Sequence, residues 1–147
     1  MDELRVELID DQWPYDFTDH TRQTARAVVF DDEYLYFTRA DRDDEFGKSL
    51  LIETAGGGIE PGEEAETAVK RELKEELGAE VEIITKIGVV SDFYNVLHRH
   101  NISNYFLCRV KKLGSTELTE NEVCNLHLSM LKLSWEEALR EYEKCTN

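Results

Sequence analysis

The sequence has little proline, little cysteine and no long apolar run. Two prolines in 147 residues, with 41% hydrophobic residues, are typical of a folded chain and not of a disordered or collagen-like one. No segment approaches the ~18 apolar residues that a membrane span requires, and the acidic start MDELRVELIDD does not resemble a signal peptide. We therefore expect one soluble domain over residues 1–147, located in the cytoplasm.

The few cysteines argue against a disulfide framework and a zinc site. Cys108, Cys124 and Cys145 are odd in number and show no Cys-x-x-Cys spacing. This pattern predicts reduced thiols.

Positive charge is also scarce. Lys and Arg number 17 against 32 Asp and Glu, which gives a formal net charge of −15. Such a chain repels a phosphate backbone, so long nucleic acid is a poor partner. A small anionic substrate stays compatible with this charge only if a metal or a local basic cluster offsets it.

The patterns that are present predict strands and two helices. Apolar and charged residues alternate over residues 4–8, and two segments rich in β-branched and aromatic residues predict a hairpin that turns at the acidic triplet DDE. The order of strands, helix, strands and helix indicates an α/β protein with a mixed β-sheet flanked by helices. The predicted strands cover residues 4–8, 24–30, 34–40, 49–54, 81–94, 102–110 and 126–133.

The second predicted helix follows the last strand. Ser134 and Glu137 have the spacing of a capping box at its start. Trp135, Leu139 and Tyr142 then fall on one helical face together with an alanine.

The first helix is predicted over residues 63–77. Val69, Leu73 and Leu77 recur every fourth residue and form a buried stripe, and Gly78 is a natural stop.

Three carboxylates share a second face near the end of this helix. Glu72, Glu75 and Glu76 stand at i, i+3 and i+4. Like charges at i, i+4 cost ~0.2–0.5 kcal/mol, and each anion in the last turn opposes the helix dipole by a further ~0.3–1 kcal/mol. A solvated acidic face, partly paired with Arg71, is the simpler interpretation. A hard divalent ion such as Mg²⁺ or Mn²⁺, which takes carboxylate ligands, would instead turn these costs into a gain.

A glycine-rich loop precedes the acidic helix. Gly56, Gly57 and Gly58 lack side chains, so the segment AGGGIEPGE can approach an ion or an oxyanion closely. Alone, such a triplet is more often a flexible turn, but its position directly before the carboxylates favours a ligand site.

Loop and helix together resemble the Nudix box of the MutT-like hydrolases. The pattern is G-x5-E-x7-R-E-U-x-E-E-x-G-U, where U is a bulky apolar residue, and the chain departs from it only at Ala79. The resemblance implies a single domain with the Nudix-type α/β/α sandwich, in which the loop and helix form the box. The matching residues are Gly57, Glu63, Arg71, Glu72, Leu73, Glu75, Glu76 and Gly78.

The resemblance also implies a reaction. It implies Mg²⁺-dependent (or Mn²⁺-dependent) hydrolysis of a nucleoside diphosphate linked to another moiety, in which metal-activated water cleaves the pyrophosphate bond. The metal ligands would be Glu72, Glu75, Glu76 and the backbone carbonyl of Gly56. Arg71, counted with the three glutamates as catalytic, resembles the arginine that orients them.

The resemblance leaves the general base open. Glu72, beside Arg71, is the first choice, and Glu63 resembles the structural partner of that arginine. Glu120 and Glu122, in the loop GSTELTENEV, are distal candidates for a base or an extra ligand, although a solvated loop charge is the simpler interpretation of either.

Candidate substrate contacts lie outside the acidic helix. Arg26 and Arg39 fall on the predicted hairpin, where similar proteins often contact phosphate oxygens. Gly57 and Gly58 complete the predicted substrate-binding set. Ordinary surface ion pairs explain the two arginines equally well.

Two other functions stay open. A nucleotide-sensing module could keep the fold and bind without cleaving, and an acidic Ca²⁺ buffer is a weaker idea because no EF-hand loop is present. The complete set of three glutamates and one arginine favours the enzyme. ADP-ribose, dinucleoside polyphosphates, modified nucleoside triphosphates and nucleotide sugars all fit as substrates, and a homodimer is compatible with the sequence.

Overall fold

The structure is a computed structural model that describes residues 3–9, 18, 20–44, 47–94, 98–116 and 129–144. Glu120, Glu122, Cys124 and Cys145 lie outside these residues. In the described part of the chain, eight strands form one sheet, accompanied by two helices. Along the chain the elements are β1 (Leu4–Leu8), β2 (His20–Phe30), β3 (Leu35–Asp44), β4 (Gly47–Glu53), β5 (Ala55–Gly58), α1 (Ala65–Leu77), β6 (Ala79–Tyr94), β7 (Arg99–Leu113), β8 (Ser129–Leu133) and α2 (Trp135–Glu143).

The sheet is mixed, as predicted. Its main order is β1-β6-β7-β2-β3-β4, with β5 paired to β2 and β8 paired to β3. The pairs β1 with β6 and β2 with β7 are parallel, whereas the other pairs are antiparallel. Strand β2 branches on one side, because its residues 24–27 pair with β5 and its last two residues pair with β3. This branch brings the glycine segment into the sheet.

The predicted hairpin and its acidic turn are confirmed. Strands β2 and β3 pair on either side of the turn. The Asp31 carboxylate accepts hydrogen bonds from the backbone N–H groups of Glu33 and Tyr34, at 2.9 and 2.8 Å, and from the Tyr36 hydroxyl. Burial and the bond to Asp31 raise the pKa of Tyr36 to about 12. One carboxylate thus satisfies the turn and a buried hydroxyl together.

Two apolar clusters lie on opposite faces of the sheet. Alternate residues of β2 divide between them: Ala27 and Val29 belong to the first cluster, Val28 and Phe30 to the second. Because successive side chains of a strand point to opposite faces, α1 covers one face and α2 the other. The first cluster also contains the buried free thiol of Cys108, whose pKa burial raises to about 11. The described part of the chain therefore forms the predicted α/β/α sandwich.

Two apolar segments are more exposed than their sequence patterns predict. In β1, Leu4 and Leu8 are 58% and 52% exposed, although the strand forms against Gly88. In α2, Trp135 and Leu139 are 63% and 48% exposed, and Ala138 is the buried residue of the helix. Strand β1 is an edge strand of the described sheet, and α2 packs on β3 and β8 mainly through Ala138. No helix in the described part of the chain has both the length and the apolar character needed to cross a membrane.

Candidate active site

Helix α1 carries the candidate site and is fixed to the sheet by its apolar stripe. Val69 and Leu73 are fully buried and Leu77 is 2% exposed, as predicted from their spacing. Gly78 ends the helix in the left-handed conformation, with φ of 66°, and its N–H bonds carbonyls of the last turn. The helix begins at Ala65, two residues later than predicted, and so Glu63 lies just before it.

Arg71 connects the loop before α1 with the carboxylates on the helix. Its Nε and Nη2 donate to the two carboxylate oxygens of Glu63, at 2.8 and 2.9 Å. Its Nη1 donates to Glu72 at 3.0 Å and contacts both oxygens of Glu75 at 3.4 Å. Its Nη2 also donates to the carbonyl oxygen of Gly58 at 3.2 Å. A planar guanidinium with five donors suits this role, because it can hold several oxygens at fixed angles.

The same bonds stabilise the charged forms of Glu63 and Arg71. The guanidinium of Arg71 is the main cause that lowers the pKa of Glu63 to about 2, helped by the backbone N–H of Glu60 at 3.1 Å. The hydrogen bonds of Glu63 raise the pKa of Arg71 despite its burial. The pair is therefore ionised at every pH at which the protein is expected to work.

The first two glycines of β5 are required by their surroundings. A Cβ atom on Gly57 would lie 2.7 Å from the carboxylate of Glu72. Gly56 has φ of 148°, and a Cβ atom there would lie 2.3 Å from the carbonyl oxygen of Ala25 in β2. The N–H of Gly56 donates to Glu76 Oε2 at 3.0 Å, and Glu76 is only 8% exposed. Two of the three predicted ligands thus lie directly against the glycine strand.

The donor set fits a hard divalent cation in its chemistry. Glu72, Glu75 and Glu76 offer carboxylate oxygens on one side of α1, as Mg²⁺ and Mn²⁺ prefer. In this structure the carboxylates turn toward Arg71 and the N–H of Gly56, and in the described part of the chain no three His, Cys, Asp or Glu side chains are grouped to hold an ion. Arg71 therefore offsets part of the repulsion from which the sequence predicted a metal.

The two arginines predicted to contact substrate lie in different parts of the sheet. Arg26 lies opposite Gly56, and its Nη1 donates to the carbonyl oxygen of Thr54 at 3.1 Å. Arg39 lies in β3, opposite residues of β4 and β8, and its side chain is exposed. The structure thus brings Arg26, but not Arg39, to the glycine strand. The distal candidates Glu120 and Glu122 fall outside the described residues.

Arg22 is a basic residue at the site that was missed from the sequence. The nearest guanidinium atoms of Arg22 lie 3.7 and 3.8 Å from the position of a Cβ atom on Gly58. Burial, Arg99 and Arg26, in that order, lower the pKa of Arg22, whereas Glu72 raises it. The sequence did offer one signal: Arg22 stands four residues before Arg26, so the two side chains share a face if the strand extends that far. No signal in the sequence indicated that Arg99 lies near Arg22, because this contact depends on the pairing of β2 with β7.

A family model described as the NUDIX domain matches residues 20–144, most of the chain. The chain belongs to the NUDIX family. This match confirms the predicted family and supports the predicted enzyme class, a NUDIX hydrolase. NUDIX hydrolases act on small nucleotide-type substrates and generally use a divalent cation.

Solved NUDIX structures share the fold. A NUDIX hydrolase from Nitrosomonas europaea is 17% identical with a TM-score of 0.65, over 84% of this chain and 78% of that one. The E. coli ORF135 protein is 23% identical with a TM-score of 0.57, over 84% and 79% of the two chains. A MutT NUDIX hydrolase from Burkholderia pseudomallei is 18% identical with a TM-score of 0.61, over 86% and 98%. At these identities the similarity shows the fold alone. No curated protein matches the chain.

Proposed function

We propose that this NUDIX protein hydrolyses the pyrophosphate bond of a nucleoside diphosphate linked to another moiety, with Mg²⁺ or Mn²⁺ as cofactor. The observation that carries the proposal is the network around Arg71. One guanidinium group joins Glu63, Glu72 and Glu75 to the carbonyl of the glycine strand. A protein that only binds a nucleotide has no need to orient carboxylates in this way.

Glu72, Glu75 and Glu76 would hold the cation, with the Gly56 carbonyl as a further oxygen ligand. When bound, a divalent cation supplies a water of lowered pKa and positive charge close to the phosphoryl group. Glu75 is the most exposed of the three at 33%, and its contacts to Arg71, at 3.4 Å, are longer than the bond from Arg71 to Glu72 at 3.0 Å. We therefore assign to Glu75 the largest side-chain rotation on ligand binding.

Glu72 is the proposed general base. The bond of 3.0 Å from Arg71 Nη1 fixes one of its carboxylate oxygens, and the absence of a side chain on Gly57 leaves room for the group above β5. A carboxylate with a fixed orientation can accept a proton from a water at a defined position. Glu76 has a different part: its bond to the N–H of Gly56 ties α1 to the glycine strand.

The deciding experiment uses the substitution Glu76→Gln. Glutamine keeps an oxygen that can accept from the N–H of Gly56, but it removes the charge that a cation needs. We expect metal-dependent cleavage of the best substrate to fall on the order of 10²–10³-fold, with the thermal midpoint nearly unchanged. Nucleotide products would be separated by chromatography after incubation with ADP-ribose, a dinucleoside polyphosphate, a nucleoside triphosphate and a nucleotide sugar.

The matched control is Glu66→Gln, an exposed glutamate in the first turn of the same helix. It should retain full activity. Mn²⁺ should raise the thermal midpoint of the unmodified chain and of Glu66→Gln, because an ion that binds only the folded state stabilises that state. It should not raise the thermal midpoint of Glu76→Gln, which lacks one of the proposed ligands. Full activity of Glu76→Gln would overturn the metal site. Binding of nucleotides without cleavage of any would favour the sensing module instead.

A further inference from the structure

Three arginines lie on the face of the sheet opposite α1: Arg22 and Arg26 beside the glycine strand, and Arg99 in β7 on the other side of β2. Arg22 and Arg26 stand four residues apart in β2, so their side chains share a face. The hydroxyl of Thr24, which stands between them, donates a hydrogen bond to Ser103 Oγ at 3.0 Å. This bond shows that odd-numbered residues at the start of β7 point to the same face, and Arg99 is one of them.

The register of β2 with β7 brings Arg99 close to Arg22. The two strands are parallel, with His20 opposite Arg99 and Arg22 opposite Asn101. Arg99 is therefore diagonal to Arg22 on the same face, within reach of long side chains. The repulsion that both Arg99 and Arg26 exert on Arg22 agrees with this arrangement.

The basic cluster, defined as Arg22, Arg26 and Arg99, and the carboxylates of α1 lie on opposite faces of the sheet. Glu72 lies over Gly57, whereas Arg22 lies beside Gly58, on the opposite face. The outer edge of β5, where no other described strand pairs, is lined by Glu76 and Arg71. A ligand held at this edge can therefore reach both the carboxylate side and the guanidinium side.

The three positive charges of the basic cluster are unusual in a chain with a large excess of negative charge. The formal net charge is −15, so the average field repels an anionic ligand. Desolvation, Arg99 and Arg26 lower the pKa of Arg22, and Glu72 offsets this effect only in part, so the charged form of Arg22 is less favoured than in water. An anion between the guanidinium groups would favour the charged form and accept charge-assisted hydrogen bonds from it.

We propose that Arg22, together with Arg26 and Arg99, binds a phosphate of the substrate beyond the diphosphate that the carboxylate side engages. The preferred substrates are then nucleotides with three or more phosphates in a chain, and not diphosphates linked to a neutral sugar. This inference rests on the proposed function, because it takes the metal-dependent cleavage site to lie at Glu72, Glu75 and Glu76.

The kinetic test compares two substrates in the variant Arg22→Gln. For a nucleoside triphosphate we expect KM to rise at least about tenfold, since a charge-assisted contact is lost, with kcat nearly unchanged. For a nucleotide sugar we expect no change. Arg22→Lys, which keeps the charge, should recover part of the loss. Arg140→Gln removes the same charge from an exposed position in α2 and serves as the matched control.

A second measurement does not depend on hydrolysis. Calorimetry with inorganic tripolyphosphate in the presence of EDTA should show binding to the unmodified chain and to Arg140→Gln, and binding weakened at least about tenfold in Arg22→Gln. If no substrate is cleaved but this difference in affinity is found, the proposed function is wrong and the basic cluster is still a phosphate-binding site. Equal KM effects on both substrates, unchanged tripolyphosphate affinity in Arg22→Gln, or no tripolyphosphate binding at all would overturn the cluster as a third-phosphate site.

Discussion

The two helices are held to the same sheet in different ways. Helix α1 buries Val69 and Leu73 completely, yet its N-cap residue, Glu64, makes no side-chain capping bond. Helix α2 buries Ala138, but it starts with a complete capping box between Ser134 and Glu137, at 3.2 and 3.0 Å. One helix depends on long-range packing and the other on local hydrogen bonds.

The difference follows the position of the candidate site. The carboxylate that precedes α1, that of Glu63, binds Arg71 instead of the first turn of the helix. The charged side chains of α1 thus take part in the Arg71 network, and the apolar stripe holds the helix against the sheet. Helix α2 carries no part of this network, so its termini can follow the ordinary capping rules. A helix that holds charged groups in fixed positions needs burial more than it needs caps.

Removing one leucine side chain from each helix should give the largest contrast. Leu73→Ala creates a cavity at a fully buried position, and we expect it to lower the free energy of unfolding by about 2–5 kcal/mol. Leu139→Ala removes a side chain that is 48% exposed, and we expect a change within about 0.5 kcal/mol. Urea denaturation followed by circular dichroism measures both. Equal losses would show that α2 is packed as tightly as α1.

Acid should act on α1 through the ion pair of Glu63 and Arg71. The pKa of Glu63 is lowered to about 2 in the folded chain by Arg71, so the pair contributes stability fully above the unfolded pKa near 4.3 and loses it as the pH falls through about 2. Glu63→Gln should therefore be less stable than the unmodified chain at pH 7, and the gap should narrow between pH 4.3 and 2. Urea midpoints measured across this range give the gap directly.

The exposed residue Glu66 provides the control for that series. Glu66→Gln removes a negative charge from the first turn of α1, three residues from Glu63, and leaves the bonds of Arg71 in place. A gap between Glu63→Gln and the unmodified chain that stays constant down to pH 2 would contradict the assigned ion pair. If the difference in urea midpoint between Glu66→Gln and the unmodified chain narrows by the same amount, the pH effect comes from the net charge and not from the ion pair.

The local elements of the fold were predictable because their signals are local. The acidic turn at Asp31, the stop at Gly78 and the capping box at Ser134 are each set by a few neighbouring residues. The parallel pairing of β1 with β6 and of β2 with β7 was not predicted. Strand partners distant in sequence leave no trace in the periodicity of either strand, since that periodicity reports only which face is apolar.

The shared helix face of the three candidate glutamates was predictable, but their contacts were not. The spacing of Glu72, Glu75 and Glu76 places them on one side of a helix, and the resemblance pairs Arg71 with the glutamates. That Arg71 would reach Glu72 and Glu75 at once depends on its rotamer, which helical spacing does not determine. The basic cluster could not be predicted for the same reason as the parallel strand pairs, because Arg22 and Arg99 come together only through the pairing of β2 with β7.

The smallest expected effects come from the two N-caps. Ser134→Ala removes a side chain that accepts from the N–H of Glu137, and we expect a loss of about 1 kcal/mol in the free energy of unfolding. Glu64→Ala removes a side chain that makes no capping bond, and we expect a change within about 0.5 kcal/mol. Glu64→Ser gives the reverse test, because serine is a good N-cap and should stabilise α1 by a few tenths of a kcal/mol or more, up to about 1. If Glu64→Ala costs as much as Ser134→Ala, the distinction between a packed helix and a capped helix does not hold.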